Sequence, residues 1–117
     1  MSYTSGFLLA VPTANKQKYV DQALSAWPYF KKFGATRMVE NWGVDVPHGK
    51  VTDFYMSTKA TDGETVVFSW VEWPDRATAD AAFEKMMSDP DMQKMGEMPF
   101  DGMRMMWGGF EPVVDVS

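Results

Sequence analysis

A chain of 117 residues with 45% hydrophobic and 23% charged residues has the composition of an ordinary globular protein, and we predict a single domain over residues 1–117. The formal net charge of −5 argues against nucleic acids and anionic membranes as partners, since both select clustered basic residues. No apolar run approaches the roughly 20 residues of a membrane span, and the absence of cysteine and of a basic N-terminal signal segment predicts a cytoplasmic location.

The first predicted elements are a strand followed by a helix. Residues 3–11 have the character of a strand, which Pro12 ends. The apolar residues that follow recur at three- and four-residue spacing, which is typical of one face of a helix. Pro28 lies inside this pattern, so we expect a kink or a break there, and Gly34 ends the helix. The predicted apolar stripe consists of Val20, Ala23, Leu24, Trp27, Phe30 and Phe33.

Two further strands are predicted in the middle of the chain. One lies within residues 36–46 and ends at Gly43. The clearest strand covers residues 65–73, because these residues are β-branched and aromatic and Pro74 follows them. Between the two, residues 52–57 leave two interpretations open, a short strand or an irregular crossing.

A second helix and a last strand complete the pattern. Asp75 is the predicted N-cap, and the helix ends near Asp89 and Pro90. Residues 91–100 are predicted to form a loop or a helical turn, and the last strand covers residues 102–110. The apolar stripe of this helix consists of Ala79, Ala82, Phe83 and Met86.

This order of elements predicts an α+β fold of the ferredoxin-like type. The sequence β-α-β-β-α-β gives a four-stranded antiparallel sheet with two helices packed on one face. Two helices cover one face of such a sheet, and the other face would be polar if it met water.

Both faces of the predicted sheet are nevertheless apolar. Within residues 65–73, alternation places Phe68 and Trp70 on one face and Val71 and Trp73 on the other. An exposed apolar face of four strands exceeds the few hundred Å² that a monomer usually tolerates. We therefore predict a homodimer in which the two sheets pack face to face around a two-fold axis, with a partly enclosed, apolar-walled cleft in each subunit.

Two glutamates are candidate catalytic groups. Glu40 and Glu72 each lie within a predicted strand among apolar neighbours. A carboxyl group in an apolar pocket has a raised pKa and can act as an acid or base near neutral pH. The simpler interpretation, which we favour, is that each carboxylate reaches water or pairs with Arg37 or Arg104.

Arg104 and His48 are the other candidate catalytic residues. The guanidinium of Arg104 could hold an anionic ligand, or it could pair with Asp101, Glu40 or Glu72. His48 is the only histidine, and a Pro-His-Gly loop more often exposes its histidine than uses it. With one histidine, no cysteine and no nucleotide-binding or hydrolase motif, we predict neither a metal site nor a cofactor.

Tryptophans are candidate ligand-binding residues. Trp42, Trp70 and Trp107 could line a pocket for a flat apolar ligand, with methionines as adaptable walls, although core packing or dimer contact is the commoner role. In the last strand, alternation groups Met103, Met105 and Trp107 on one face and Arg104, Met106 and Gly108 on the other.

Three segments resemble a known family. "GVDVPHGKVTDF" (43–54), "VVFSWVEWPD" (66–75) and "MPFDGMRMMWGGFEP" (98–112) are similar to segments of the YbaA-like family of small bacterial proteins, domain-of-unknown-function family 1428. The opening "YTSGFLLAVP" also fits. The resemblance implies membership of the dimeric α/β-barrel superfamily, which includes cofactor-independent monooxygenases, isomerase-like enzymes and ligand-binding modules.

The family resemblance implies no particular activity. The sequence departs from the family pattern at Met103, where a lysine is usual, and at Val44, where an acidic residue is common. We predict a homodimeric module that binds a small molecule or another protein without catalysis. The alternative is a cofactor-independent enzyme of monooxygenase or isomerase type acting on a small apolar or aromatic metabolite, and the sequence leaves open which of the two it is.

Overall fold

The chain follows the predicted β-α-β-β-α-β order, with two short helices added. The structure is a computed structural model that describes residues 2–93 and 98–117. The strands are β1 (Tyr3–Pro12), β2 (Arg37–Trp42), β3 (Glu64–Trp73) and β4 (Met106–Phe110). The helices are α1 (Lys16–Lys32), α2 (Phe54–Thr58), α3 (Arg76–Met87) and α4 (Pro90–Gln93).

The four strands form one antiparallel sheet in the order β2-β3-β1-β4. The central pair, β1 and β3, is matched over ten positions, from Tyr3 opposite Trp73 to Pro12 opposite Glu64. The shorter strands β2 and β4 form the two edges. This is the α+β, ferredoxin-like sheet that the order of elements predicts.

The hydrophobic core lies on the face of the sheet that α1 and α3 cover. Leu9 and Val67 from the central strands are each 1% exposed. Trp73 is the largest fully buried side chain, and its Nε1 donates a hydrogen bond of 3.1 Å to Oγ of Ser5. Burying the indole is favourable because its one polar group has a partner. Ala79 and Ala82 of α3 pack against Trp73, as the predicted stripe requires.

The opposite face of the sheet, called the open face below, is largely apolar as predicted. Phe68, Met106 and Phe110 are 48%, 46% and 60% exposed. The short helix α2 covers one end of this face, where the ring centroids of Phe54 and Phe68 lie 6.3 Å apart.

The helix α2 replaces both interpretations of residues 52–57. The carboxylate of Asp53 caps it by accepting a hydrogen bond of 2.6 Å from the backbone N–H of Met56. Lys59 ends the helix in the left-handed conformation, with φ of 56°. A single capped turn has too few residues to show a helical period, so the sequence pattern could not identify it.

The structure corrects the prediction for α1. The helix does not break at Pro28 but continues through it, since this exposed proline removes only one backbone hydrogen bond. The predicted stripe is also partly out of phase, because Leu24 is 65% exposed and Val20 39% exposed, whereas Tyr19 is buried. The face that packs on the sheet includes Tyr19, Ala23, Ala26, Trp27 and Phe30.

The last strand begins later than predicted. Residues 102–104 form a 3₁₀ turn, and β4 starts only at Met106. Asp101 causes the difference, since its carboxylate accepts a hydrogen bond of 3.0 Å from the N–H of Met103 and so stabilises the turn. Met103 is consequently 94% exposed instead of lying on a sheet face.

The second helix is close to its prediction. Asp75 is the N-cap of α3, and its carboxylate accepts a hydrogen bond of 2.7 Å from the N–H of Thr78. The helix ends at Met87, and α4 supplies the predicted helical turn, although residues 94–97 of that segment lie outside the described residues. In the parts of the chain that the structure describes, no helix combines the length and apolarity needed to cross a membrane.

Candidate functional site

A cavity of about 360 Å³ lies between α1 and the covered face of the sheet. Its walls are mainly apolar and come from β1, β2, β3, α1 and the segment that leads into β4. Because these elements are held by the sheet and the core, the cavity is formed in the free protein. The apolar residues that line it include Phe7, Leu9, Phe30, Met38, Val71 and Phe100.

One corner of the cavity is polar and contains Tyr19, Glu40 and Ser69. Glu40 of β2 is paired with Ser69 of β3, so the strand register brings the carboxylate beside the hydroxyl. Tyr19 extends from α1, and its hydroxyl donates a hydrogen bond to Oε1 of Glu40. Ser69 lies beside both of the other groups and lowers the pKa of each, so the three side chains form one polar cluster.

Glu40 is the acidic group of this cluster, and its surroundings favour its protonated form. Loss of hydration at its carboxylate raises the pKa of Glu40 above the ordinary value. The neighbouring Tyr19 and Ser69 hydroxyls lower it again, but only in part. Burial, and then the charge of Glu40, raise the pKa of Tyr19 far above its ordinary value, so the phenol stays protonated and remains a donor. Glu40 is exposed as a residue, so a molecule in the cavity can contact its carboxylate.

The negative charge of Glu40 has no cationic partner among the described ion pairs. Of the described residues that line the cavity, Glu40 is also the only one with a charged side chain. The nearby Lys16 places its amino group 5.5 Å from the ring centre of Trp42. Hydrogen bonds thus stabilise the carboxylate, while its charge remains available to a ligand.

Arg104 lies away from the cavity and is part of a structural ion-pair cluster. Its guanidinium donates hydrogen bonds of 2.6 and 2.9 Å to the two carboxylate oxygens of Glu64. It also donates to Asp101 at 3.0 Å and to the carbonyl oxygen of Lys59 at 2.8 Å. Of the three partners expected for Arg104, only Asp101 contacts it, and Glu40 and Glu72 do not. Glu64, which receives two hydrogen bonds from Arg104, was not expected.

The ion pair holds Glu64 in its charged form. Hydrogen bonds from Arg104 are the main reason that the pKa of Glu64 falls to about 2. The same bonds raise the pKa of Arg104. The Glu64 side chain is only 8% exposed, so water cannot replace the arginine.

Glu72 and His48 also lie outside the cavity. Glu72 is on the open face, where its carboxylate accepts a hydrogen bond of 2.9 Å from Nε1 of Trp70 and lies 3.6 Å from Arg37. The His48 side chain is 80% exposed and stacks on Tyr55 with 4.3 Å between ring centroids. Of the four residues predicted as catalytic candidates, only Glu40 lines the cavity.

The three candidate tryptophans lie in three different places. Trp42 packs beside the core near Lys16, Trp70 lies on the open face against Phe68, and Trp107 is 72% exposed on β4. None of them lines the cavity. Across residues 2–93 and 98–117, no three His, Cys, Asp or Glu side chains are grouped closely enough to hold a metal ion.

Tyr19 and Ser69 are the site residues that sequence reasoning missed. Each left a signal in the pattern. Tyr19 is four residues before Ala23 and seven before Ala26, which places all three on one helical face. Ser69 is a polar residue in the middle of a strand face, between Val67 and Val71. A buried hydroxyl at such a position needs a hydrogen-bond partner, and Glu40 on the neighbouring strand supplies it.

Comparison with known proteins places these residues in a family context. Residues 2–102 match the family described as "Protein of unknown function (DUF1428)". The chain is 56% identical over 116 residues to "Uncharacterized protein YbaA" of Escherichia coli strain K12, covering 98% of this chain and 99% of the relative. The protein of the same name from Shigella flexneri matches with the same identity and coverage.

A solved structure shares the fold. It is the crystal structure of a dimeric ferredoxin-like protein from an uncultured marine organism, which is 14% identical with a TM-score of 0.55. The alignment covers 98% of both chains. At this identity the likeness confirms the ferredoxin-like fold of the whole chain.

Replacing Glu64 with glutamine should destabilise the protein. The variant keeps the shape of the side chain but removes the charge that Arg104 binds, and we expect the melting temperature to fall by roughly 3–8 °C. At pH values above 4.5, the ordinary pKa of a glutamate, the charged Glu64 contributes its full stabilisation to the fold. This contribution is lost as the pH falls through about 2, the pKa of Glu64 in the folded protein.

The control for this variant is Asp80→Asn. Asp80 pairs with Arg76 at 3.5 Å, but both side chains are more than half exposed. An exposed pair contributes little, so its melting temperature should stay within about 1 °C of the wild-type value. Equal melting temperatures for the two variants in differential scanning calorimetry would contradict the structural role of Arg104 and Glu64.

Glu40→Gln should change how stability depends on pH. Because the folded pKa of Glu40 is above its ordinary value of 4.5, the folded state keeps a proton that the unfolded chain has already released. The free energy of unfolding of the wild type therefore falls as the pH rises through this interval, and the glutamine variant should lack that fall.

The measurement is urea unfolding between roughly pH 4 and 8, with Tyr19→Phe as a second variant. Removing the Tyr19 hydroxyl takes away a donor that favours charged Glu40, so the fall in stability should extend to higher pH. Identical pH profiles for the wild type and Glu40→Gln would show that Glu40 has an ordinary pKa.

Proposed function

Because the chain belongs to the DUF1428 family, whose function is unknown, we propose a function from its own geometry: a homodimeric module that binds a small, largely apolar molecule in the cavity between α1 and the sheet. The single observation that carries the proposal is an apolar-walled cavity with one polar corner, made by Tyr19, Glu40 and Ser69. Ligand sites generally have this composition, in which apolar walls supply affinity and a few polar groups orient the ligand.

The size of the cavity supports a small ligand. Its volume of about 360 Å³ is at the lower end of the range of roughly 300–1,000 Å³ that is usual for ligand pockets. Side chains from three strands and from α1 line it, and two buried members of the polar corner, Tyr19 and Ser69, are 8% and 2% exposed. Such a corner orients a ligand without much rearrangement.

The arrangement of polar groups supports binding more than catalysis. An enzyme site brings several reactive groups to one place. Here Arg104 is occupied by Glu64 and Asp101, and Glu72 and His48 are on other surfaces. Among the described residues that line the cavity, Glu40 is the only one with a charged side chain.

The alternative is a cofactor-independent enzyme of isomerase or monooxygenase type. The raised pKa of Glu40 favours this alternative, because a carboxylate with a raised pKa is a stronger proton acceptor than an ordinary one. The two functions can be separated by extracting any molecule that co-purifies with the protein and incubating it with fresh protein. A binding module returns the molecule unchanged, whereas an enzyme converts it.

The homodimer is supported by the exposed open face. Phe68, Met106 and Phe110 form an apolar surface, and two such sheets would cover each other around a two-fold axis. The solved ferredoxin-like protein of the same fold is described as dimeric. The cavity lies on the other side of the sheet, so this pairing leaves its entrance free.

Phe68→Asp should convert the dimer to a monomer. A charge in the centre of an apolar interface is unfavourable because it loses water without gaining a partner. Light scattering after size exclusion should give twice the 13.2 kDa of one chain for the wild type and about one chain mass for the variant.

The matched control for the dimer is Leu24→Asp. Leu24 is also exposed, at 65%, but it lies on α1 and not on the sheet. This variant should remain dimeric, and circular dichroism should show that both variants are folded. A wild-type mass of one chain at micromolar concentration would reject the homodimer.

Ala23→Phe should weaken ligand binding by filling the cavity. Ala23 lines the cavity from α1, and a phenyl ring occupies much of a small apolar space. We expect the affinity for the neutral fluorescent probe N-phenyl-1-naphthylamine to fall at least about tenfold. Ala77→Phe on the exposed side of α3 is the control and should bind the probe like the wild type. Equal probe binding by both variants would place the ligand elsewhere.

A further inference from the structure

We infer that the cavity selects a small organic cation, a protonated amine carried on an apolar or aromatic body. This inference rests on the proposed function and specifies its ligand. It follows from three properties of the cavity: an uncompensated negative charge, free acceptor positions on that charge, and aromatic rings around it.

The uncompensated charge is that of Glu40. It is the only charged side chain among the described residues that line the cavity, and none of the described ion pairs includes it. Glu64 differs in both respects, because its side chain is only 8% exposed and Arg104 lies 2.6 Å away, whereas Glu40 is exposed and has no cation in the described ion pairs. A carboxylate in an apolar site without a cation is costly, and a ligand that brings the cation removes this cost.

Acceptor positions remain free on Glu40 after the internal hydrogen bonds are made. Tyr19 donates one hydrogen bond to Oε1, and Ser69 lies directly opposite Glu40 on the neighbouring strand. A carboxylate has about four acceptor positions, so at least one remains for a donor from the cavity. Because Tyr19 and Ser69 hold the carboxylate in place, little side-chain entropy is lost when a ligand binds.

Aromatic rings surround the same space. Phe7, Phe30, Phe100 and Tyr19 all line the cavity. Ring faces attract cations, and the flat apolar body of an aromatic amine packs well against them. An anion would be repelled by Glu40, and a neutral alcohol would gain a hydrogen bond without the charge attraction.

Other charged groups near this part of α1 do not face the cavity. Lys16 lies over the ring of Trp42, and Lys18 and Asp21 border a neighbouring surface groove and do not line the cavity itself. Arg37, on the same strand as Glu40, points to the opposite face and pairs with Glu72. Among the described side chains, the charge that a ligand meets inside the cavity is therefore that of Glu40.

The test compares three probes that share one ring and differ in charge: 2-phenylethylamine, 2-phenylethanol and phenylacetate. Dissociation constants come from chemical-shift titrations of the ¹⁵N-labelled full chain near neutral pH. We expect the amine to bind at least about tenfold tighter than the alcohol, and phenylacetate to bind weakest.

Glu40→Gln provides the decisive comparison. The variant should bind the amine at least about tenfold more weakly, to the level of the alcohol, and should bind the alcohol within about twofold of the wild type. Glu72→Gln is the matched control, because Glu72 is a carboxylate on the opposite face of the sheet, and it should leave amine affinity unchanged.

The pH dependence gives a second readout. Amine affinity of the wild type should rise with pH as Glu40 loses its proton, while Glu40→Gln should show no rise over the same interval.

Equal binding of amine and alcohol, or an amine affinity that Glu40→Gln leaves intact, overturns the cation inference and leaves the proposed cavity function standing. If no probe binds and Ala23→Phe does not affect N-phenyl-1-naphthylamine, the proposed function itself fails.

Discussion

The ten-position antiparallel ladder between β1 and β3 is the constraint on which the rest of the structure depends. It fixes which residues of the central strands face the helices and which form the open face, because side chains alternate strictly along a strand. A shift of one residue would move Ser69 and Val71 from the covered face to the open face. Since β2 pairs with β3 in a fixed register, Glu40 then lies beside Ser69. The polar corner of the cavity is thus a consequence of strand pairing.

Two glutamates show how the same chemical group acquires different roles. Glu64 receives two hydrogen bonds from Arg104 and has a lowered pKa, so its charge is fully used in joining β3 to the segment before β4. Glu40 has hydrogen bonds from neutral groups only, and its pKa is raised. The difference lies in the partner and not in the glutamate. A ligand can therefore interact with the charge of Glu40, whereas Arg104 already neutralises that of Glu64.

Predictions from the sequence succeeded where the signal is local. The central strands and α3 end close to the predicted residues, because Pro12 and Pro74 stop the strands and Asp75 caps the helix. The stripe of α1 was partly wrong because Val20 and Leu24 are more hydrophobic than Tyr19, yet the Glu40 hydrogen bond places the tyrosine on the covered side. Alternation likewise failed before β4, where the Asp101 side chain binds the backbone and produces a turn.

The sequence by itself determined the α+β class, the order of the elements, the apolar character of both sheet faces and Glu40 as one candidate group. Each of these follows from residues close together in the chain, through periodicity, turn residues and alternation. Only the tertiary structure decided that Tyr19 and Ser69 join Glu40, and that Arg104 pairs with Glu64, 40 residues away. These pairings depend on strand register and on how α1 rotates against the sheet. Both are fixed by contacts across the whole core, so no local stretch of sequence contains them.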